Sequence, residues 1–377
     1  MSIVLLIIGI ILFVGLVIVH ELGHFWVARR NGVMAEEFGI GFPPRAWARK
    51  IGKGKHAFEF SLNWLPIGGF VKLKGEHDSD TEPGSFGAAS VRAKTKIMLA
   101  GVGVNLVVAL ILFMILAWVG MPQLVDNQFK IKGDTKTSSN QVLVGYVEAN
   151  SPASKAGLQP RDQLEALGPA GHLQSLKSAS QLPGVTKQYA GQTVMVQFRR
   201  GHTERTTQVT FRSQAEVAAA QKAGKEKGYL GVSPAEYTLA RSTWSAPVVA
   251  VGTAAQFTAL TFQGLGSALS SVFHGHPAQA SAEVTGPVGI YVVLKAGSLL
   301  GYQFMLLIVA IISLTLAIMN VLPIPALDGG RLYMLLFSRL IKKPLTQKTE
   351  ELVYGGSYLF LLALVVLITV SDVRRYF

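Results

Sequence analysis

The chain contains no cysteine among its 377 residues. It therefore forms no disulfide bond, and any zinc site in it must use histidine and carboxylate ligands instead of thiolates. Charge is also scarce, because Asp, Glu, Lys and Arg make up only 15% of the residues, against about 25% in soluble domains. Hydrophobic residues make up 50%. This composition argues against an ordinary soluble protein and indicates a membrane protein.

Acidic residues are the scarcer charge, with 22 Asp and Glu against 35 Lys and Arg. In so apolar a chain we attribute the excess to basic loops on the cytoplasmic side, and expect the lipid bilayer but no nucleic acid as a partner. Residues 26–96 hold twelve basic residues and residues 328–351 hold five, while the 181 residues 122–302 hold 16. Long domains cross largely regardless of charge, so the two short loops predict the orientation, and both are predicted to be cytoplasmic.

Four apolar stretches are long enough to span a bilayer. They predict a multi-span α-helical protein with transmembrane helices at residues 1–25, 97–121, 303–328 and 352–371, a cytoplasmic loop at 329–351 and a short tail at 372–377. Ser242–Phe273 is uncharged but rich in small and hydroxyl residues. It could be a weak fifth span, but we favour an amphipathic membrane-surface segment over residues 241–302.

The first predicted loop, residues 26–96, contains one patterned stretch. Ala57–Gly75 alternates apolar and polar residues on both sides of residues 66–69, which read P-I-G-G. This pattern predicts two short strands around a turn, a small β hairpin associated with the membrane. The hairpin is either purely structural or offers an exposed edge that pairs with an extended substrate segment.

The middle region, residues 122–240, carries the signs of an inserted α+β domain. Ser151 and Pro152 predict the start of a short helix and Gly157 its end. The run S-P-A-x-x-A-G-L-x-P-x-D resembles that of the PDZ domains attached to bacterial proteases. Arg161 stands where those domains usually have Gly. The domain either handles peptide or acts as a spacer that binds nothing.

Residues 20–24 read H-E-L-G-H and directly follow the apolar run Ser2–Val19. On a helix, His20 and His24 share one face and can bind one zinc ion. Glu21 lies beside that pair, where a general base takes a proton from metal-activated water. The alternative is a helix end whose polar residues happen to fall at the interface, but such residues are costly at membrane depth and usually functional there.

The third ligand of such a site is not given by the residues alone. Metzincins continue the motif with Gly and His, but this chain has Val27 and Arg30 at those positions, which excludes that class. Residues 320–330 read N-V-L-P-I-P-A-L-D-G-G at the end of the third predicted span. Prolines at such a depth are tolerated only against protein or a watery cavity. By sequence pattern alone, Asp328 fits a plain Asp-Gly turn.

H-E-L-G-H in the first span, a middle PDZ-like domain and N-x-x-P-x-P-x-L-D-G-G after a later span together resemble the site-2 protease family of intramembrane zinc metalloproteases. The bacterial regulator of sigma E protease group is the most similar, and residues 65–70, L-P-I-G-G-F, also match it. The resemblance implies a Zn²⁺ cofactor held by His20, His24 and Asp328, with Glu21 as the general base. It further implies six positions that shape the site and hold substrate: Asn320, Pro323, Pro325, Gly68, Gly69 and Phe70.

The function implied by this resemblance is regulated intramembrane proteolysis. The expected substrates are transmembrane segments of single-span proteins, such as anti-sigma factors and remnant signal peptides. The expected location is the bacterial inner membrane, with the active site near the cytoplasmic face and an extracytoplasmic PDZ-like domain that binds or excludes substrate ectodomains. A non-catalytic membrane scaffold or metal-handling protein of the same fold is the alternative. Asn105, inside the second span, either hydrogen-bonds within the helix bundle, which we favour, or touches the site.

Overall fold

The computed structural model describes residues 2–54, 57–201, 203–222, 227–275, 284–342 and 346–376. The chain divides into two compact units, the first formed by Met1–Ile115 with Ala246–Phe377 and the second by Leu116–Ser245. The first unit is mostly helical. Its helices are α1 (Ser2–Arg30), α2 (Val91–Met98), α3 (Ala100–Val119), α7 (Ala246–Phe273), α8 (Pro287–Leu300), α9 (Tyr302–Val321), α10 (Asp328–Leu340) and α11 (Gln347–Tyr376).

Among the described residues, five helical stretches are long and apolar enough to span a membrane. They are Ile3–Arg30, Val91–Val119, Ala246–Phe273, Tyr302–Val321 and Gln347–Tyr376. The predicted count of four spans is therefore not confirmed. The additional stretch is α7, whose small and hydroxyl residues dilute its apolar character without interrupting the helix. Its buried face includes Phe257, which stacks on Phe113 of α3 with ring centroids 6.0 Å apart.

The last helix, α11, is attached to the rest of the first unit chiefly at its two ends. Near its start, the buried Glu350 carboxylate accepts hydrogen bonds from the Asp78 backbone N–H at 3.1 and 3.3 Å. Near its end, Asp372 accepts from the N–H groups of Gly286 and Gly289 at 3.0 and 2.8 Å, where α8 begins. The apolar stretch between these carboxylates contributes no buried residues.

A small sheet follows α1 and consists of β1 (Ala35–Ile51) and β2 (Phe58–Leu73). The predicted strand residues are present, but the predicted pairing is wrong, because the two halves of β2 do not form a hairpin with each other. Phe38 pairs with Val71 on one side and with Phe60 on the other, so the first half of β1 lies between the two halves of β2. The alternating pattern identified the strand segments, but not their partner strand β1, which precedes them in the chain.

A buried ion pair fixes α2 inside the first unit. The Lys94 side chain is fully buried and donates to Asp78, which also accepts from Arg339 of α10 at 3.1 Å. The neighbouring apolar cluster draws on α1, α2 and α10 and contains Ala28, Val33, Phe86, Ile97, Met98, Leu332 and Leu335. Polar and apolar contacts thus hold these three helices together beside the residues of the H-E-x-x-H motif.

The second unit is built on a seven-stranded sheet in the order β3-β9-β4-β5-β7-β8, with β6 paired to β5. The strands are β3 (Met121–Pro122), β4 (Lys136–Val147), β5 (Gln163–Gly168), β6 (Gln174–Ser175), β7 (Thr193–Arg200), β8 (Thr203–Thr210) and β9 (Val232–Arg241), and the helices are α4 (Pro152–Lys155), α5 (Gln181–Gln188) and α6 (Gln214–Lys222). The predicted start of α4 is confirmed, since Ser151 Oγ accepts from the Ser154 N–H at 3.1 Å.

Arg161 of the second unit has a backbone φ of 76°, a left-handed conformation that suits glycine. Its N–H donates to the Val144 carbonyl of β4 at 2.6 Å, which places the strained residue beside an inner strand, just before β5 begins. The next residue, Asp162, is almost fully buried and forms two 2.7 Å hydrogen bonds with Arg200. Arg161, which stands where PDZ domains of this kind usually have glycine, is therefore a point of backbone strain.

Candidate active site

Three side chains from distant parts of the chain meet in the first unit. His20 Nε2 and His24 Nε2 lie 3.1 Å apart, and each lies 3.1 Å from Asp328 Oδ2. Both histidines are buried, with about a tenth of each side chain exposed. Within the part of the chain that the structure describes, His20, His24 and Asp328 form the group of His and carboxylate residues that could together hold a metal ion.

The geometry of this triangle fits a metal ion. Ligand atoms bound to a tetrahedral ion at about 2.0–2.1 Å lie about 3.3 Å from one another, close to the 3.1 Å separations here. Without a cation, two imidazole nitrogens and a carboxylate oxygen would bring three electron-rich atoms together in a largely buried place. The two imidazoles and the single carboxylate leave a fourth position open, as a catalytic metal requires.

The helix α1 positions the two histidines, and α2 orients one of them. His20 and His24 are one turn apart on α1, so their rings project from the same face. His24 Nδ1 donates to the Ile97 carbonyl at 2.7 Å, close to the interruption at Leu99 between α2 and α3. Because a carbonyl only accepts, this contact puts the ring proton on Nδ1 and leaves Nε2 free to bind a cation.

Gly101 of α3 allows the close approach of that helix to the histidines. A Cβ atom at this position would lie 2.5 Å from both His20 Nε2 and His24 Nε2. Asn105, one turn later, brings its side-chain amide to 3.2 Å from His20 Nδ1. Of the two interpretations of Asn105, contact with the site is thus the one observed. Neither Gly101 nor the Ile97 carbonyl was predicted. A small residue in an apolar helix is compatible with a close helix contact, but it does not identify the residues that lie opposite.

Asp328 is the first residue of α10, so the Asp-Gly turn interpretation is wrong. The two glycines that follow it lie against the chain that leaves α9. A Cβ at Gly329 would approach the Val321 carbonyl oxygen to 2.3 Å, and one at Gly330 the Ile324 carbonyl oxygen to 2.0 Å. Only glycine therefore lets α10 begin where it does, and that start carries Asp328 to the histidines.

Glu21 is held by the second half of β2. The Val71 backbone N–H donates to the Glu21 carboxylate. Gly69 lies against the same side chain, since a Cβ there would be 3.5 Å from Glu21 Cγ. The strand that follows the predicted P-I-G-G turn therefore lies directly beside the glutamate of the motif.

A cavity of about 200 Å³ opens beside these residues. Its lining combines Glu21, His24 and Asp328 with apolar side chains and with Glu76 and Arg331, which pair at 3.3 Å. The cavity therefore offers a space of mixed polar and apolar lining, directly beside the candidate metal ligands.

The structure distributes the six predicted substrate-binding residues unevenly. Phe70 lines the cavity, and Gly69 adjoins Glu21. Gly68 has a φ of 95° and packs against Phe42. Asn320 donates from its amide to the Leu316 carbonyl of its own helix at 3.1 Å. The remaining two, Pro323 and Pro325, lie in the link between α9 and α10, exposed and half-buried respectively, and do not line the cavity. Their roles in substrate binding stay predictions.

Comparison with known proteins gives a consistent result. The model of the family described as Peptidase family M50 matches residues 8–364. A relative from Clostridium perfringens is 30% identical over 373 residues, covering 98% of each chain. One from Clostridium acetobutylicum is 30% identical over 375 residues (99% and 98%), and one from Nostoc sp. is 27% identical over 373 residues (96% and 93%). All three relatives carry the name "putative zinc metalloprotease".

Proposed function

Because the chain belongs to peptidase family M50, the site-2 protease family, we propose that it is an intramembrane zinc endopeptidase that cleaves transmembrane segments of single-span proteins. The observation that carries this proposal is the triangle of His20, His24 and Asp328 beside Glu21. A membrane protein is indicated by the long apolar helices. The inner membrane of a bacterium is the proposed location.

The residues present fit a zinc ion, because two imidazoles and one carboxylate are an established ligand set for catalytic zinc. Zinc held there would act as a Lewis acid that lowers the pKa of water and polarises the scissile carbonyl. Glu21 takes the proton of the attacking water and returns it to the nitrogen of the leaving amine. The hydrogen bond from the Val71 N–H keeps the Glu21 carboxylate turned toward the cavity while it does so.

Substrate must reach this site in extended form, because the carbonyls of an intact helix are already hydrogen-bonded and sterically shielded. The second half of β2 has a partner strand on one side, where Val71 pairs with Phe38. Its other side carries the Val71 N–H to Glu21. We propose that an unwound substrate segment runs along this edge, so that main-chain hydrogen bonds offset the cost of unwinding. Anti-sigma factors and remnant signal peptides are the proposed substrates.

The second unit is proposed to be a PDZ-like domain on the extracytoplasmic side. Between α5, α6 and the chain from Lys227 to Pro234 it contains a cavity of about 530 Å³. This space is large enough for several residues of an extended peptide. The domain would bind or exclude the outer domains of substrates.

The orientation of the helices follows from the site. His20 and His24 near the end of α1, and Asp328 just after α9, lie together, so both helices end on the same side, proposed to be cytoplasmic. The chain between α3 and α9 must then cross the membrane an even number of times. Either α7 does not cross, or α7 and α8 together cross and return.

This topology can be tested because the chain has no cysteine of its own. Single cysteines at Ala235 and Thr285, before and after α7, can be labelled with an impermeant maleimide in intact and in permeabilised spheroplasts. If α7 does not cross, both positions react from outside. If α7 and α8 both cross, Thr285 reacts only after permeabilisation. Labelling of residue 302 from the cytoplasmic side would contradict the even number of crossings.

The proposed catalysis is tested by Glu21→Gln. This substitution keeps the shape of the side chain and the metal ligands but removes the base. We expect zinc to remain at one ion per chain and cleavage of a single-span reporter in proteoliposomes to fall by at least about 100-fold. Cleavage at the wild-type rate would contradict the mechanism. If the wild-type chain and Glu21→Gln both bind zinc but neither cleaves any single-span reporter, the result would instead support the alternative function, a metal-binding scaffold.

A further inference from the structure

The side chain of Asn105 is buried against the candidate metal ligand His20. Asn105 is only 1% exposed and lies within α3. Its amide group faces the ring nitrogen His20 Nδ1 at 3.2 Å with Nδ2 as the nearer atom. The amide oxygen Oδ1 is buried and has no hydrogen-bond partner among the described residues. A polar group in this position needs an explanation, because burial of an unpaired carbonyl is costly.

The chemistry of His20 decides which amide atom belongs at the ring. His20 Nε2 lies 3.1 Å from both Asp328 Oδ2 and His24 Nε2, so this nitrogen is the one that would donate a lone pair to a metal ion. The proton of the neutral ring must then be on Nδ1. An N–H group pairs with a carbonyl oxygen and not with an NH₂ group, which has no lone pair to offer.

Exchange of the two amide positions resolves this conflict. The oxygen and the NH₂ group of an asparagine occupy almost the same volume, and their assignment follows from the hydrogen bonds they make. No existing hydrogen bond of Oδ1 is lost in the exchange, since Oδ1 has none. After it, His20 Nδ1 donates to Asn105 Oδ1.

The backbone around Asn105 is well placed for this task. The buried Ser313 of α9 donates from its hydroxyl to the Asn105 backbone carbonyl at 2.8 Å. Gly101, one turn earlier, allows α3 to approach the two imidazoles. Asn105 is therefore held between α1 and α9, and its side chain has little freedom to point elsewhere.

We propose that Asn105 faces His20 with its carbonyl oxygen and is a positioning residue, which holds His20 with Nδ1 protonated and Nε2 directed at the metal. It would do for His20 what the Ile97 carbonyl does for His24, whose Nδ1 donates at 2.7 Å. Both ligands would then be oriented by the helical segment from α2 to α3. This inference rests on the proposed metal site but concerns binding of the ion and not cleavage.

The test is the zinc affinity of the purified full-length chain, measured by competition with a chelator. Asn105→Leu removes the acceptor at similar volume, and Asn105→Asp keeps acceptor oxygens at the same place. Loss of an outer hydrogen bond to a metal-binding histidine weakens affinity by about 10–100-fold, so we expect such a loss for Leu. We expect Asp to bind zinc within about threefold of wild type or more tightly, because carboxylate partners of metal-bound histidines are favourable.

The comparison of the two variants separates positioning from packing. If Asn105→Asp loses as much affinity as Asn105→Leu, or if Asn105→Leu binds zinc like wild type, the proposal is overturned. Should Asn105→Leu fail to fold, Asn105→Ala takes its place against Asp. Gly103→Ala on the same helix is the matched control, because a Cβ there meets nothing within 4 Å and the Asn105 amide is untouched; it should bind zinc like wild type. A wild-type chain that binds no zinc would refute the proposed function itself. If the inactive variant Glu21→Gln keeps its zinc, zinc affinity is a measurement that does not depend on proteolytic activity.

Discussion

Gly101 offers a sharp test of the site, because a single methyl group there reaches both histidines. An added Cβ would lie 2.5 Å from His20 Nε2 and from His24 Nε2, whereas ordinary contacts of a Cβ begin at 3.4 Å. Either the two rings or α3 must therefore retreat by about 0.9 Å, the difference between these two distances. Overpacking of this kind costs about 1–3 kcal/mol in a close-packed interior.

The expected loss of function is larger than the expected loss of stability. Metal ligands must lie within about 0.2 Å of their required distances, so a shift of this size removes at least one imidazole from the ion. A misplacement of about 1 Å costs on the order of 100-fold in catalytic rate. For Gly101→Ala we therefore expect zinc affinity and reporter cleavage both to fall by about 100-fold.

Gly103 on the same helix provides the matched control. A Cβ at Gly103 meets nothing within 4 Å, and alanine favours the helix over glycine by about 1 kcal/mol. Gly103→Ala should keep full zinc content and full cleavage. Zinc content after chelator challenge and cleavage of a single-span reporter should be measured on both variants in the same lipid. Gly101→Ala behaving like Gly103→Ala would refute the reasoning, because α3 would then not lie against the histidines.

Two further predictions concern stability. Asp78→Asn should lower the free energy of unfolding by about 3–5 kcal/mol, since it leaves the fully buried Lys94 without its counter-charge. The double variant with Lys94→Met should recover most of that loss. Both are measured by thermal unfolding of the detergent-solubilised chain. A single variant as stable as wild type would show that the pair is not sequestered from water. Arg161→Gly should stabilise the second unit by about 1 kcal/mol, because it relieves a left-handed backbone; an unchanged or lower unfolding temperature in differential scanning calorimetry would count against it.

Much of the local structure could be predicted, because it follows from local physics. The apolar run before His20 predicts α1, and a capping serine at 151 with Pro152 predicts the start of α4. The zinc-binding potential of the H-E-x-x-H motif also needs only helical spacing. These features depend on residues within one or two turns of each other, so a single sequence contains what is needed.

The parts that could not be predicted depend on long-range packing. The segment α7 was expected at the membrane surface, since its hydroxyl residues look polar in isolation, and that placement stays a prediction. By length and composition α7 could also span, and Thr258 and Thr261 donate to carbonyls of their own helix. Asp328 could be joined to the histidines only by family resemblance, because nothing local distinguishes it from a turn residue. The role of Gly101 depends on what lies opposite it, and no periodicity in α3 contains that information.

The attachment of α11 at its two ends has a consequence for how this helix can evolve. Contacts of α11 with the rest of the first unit lie toward its ends, at Tyr354 and Ser357 on one side and at Ile368 on the other. Among the described residues, no side chain between Glu350 and Asp372 is buried. Selection on that stretch can act on average solubility in lipid, and one apolar residue can replace another with little effect on the fold. The positions under specific constraint are the two acids, because their hydrogen bonds attach the two ends of the helix to the rest of the unit. Sequence drift among relatives should therefore be fastest in the middle of α11 and slow at its ends.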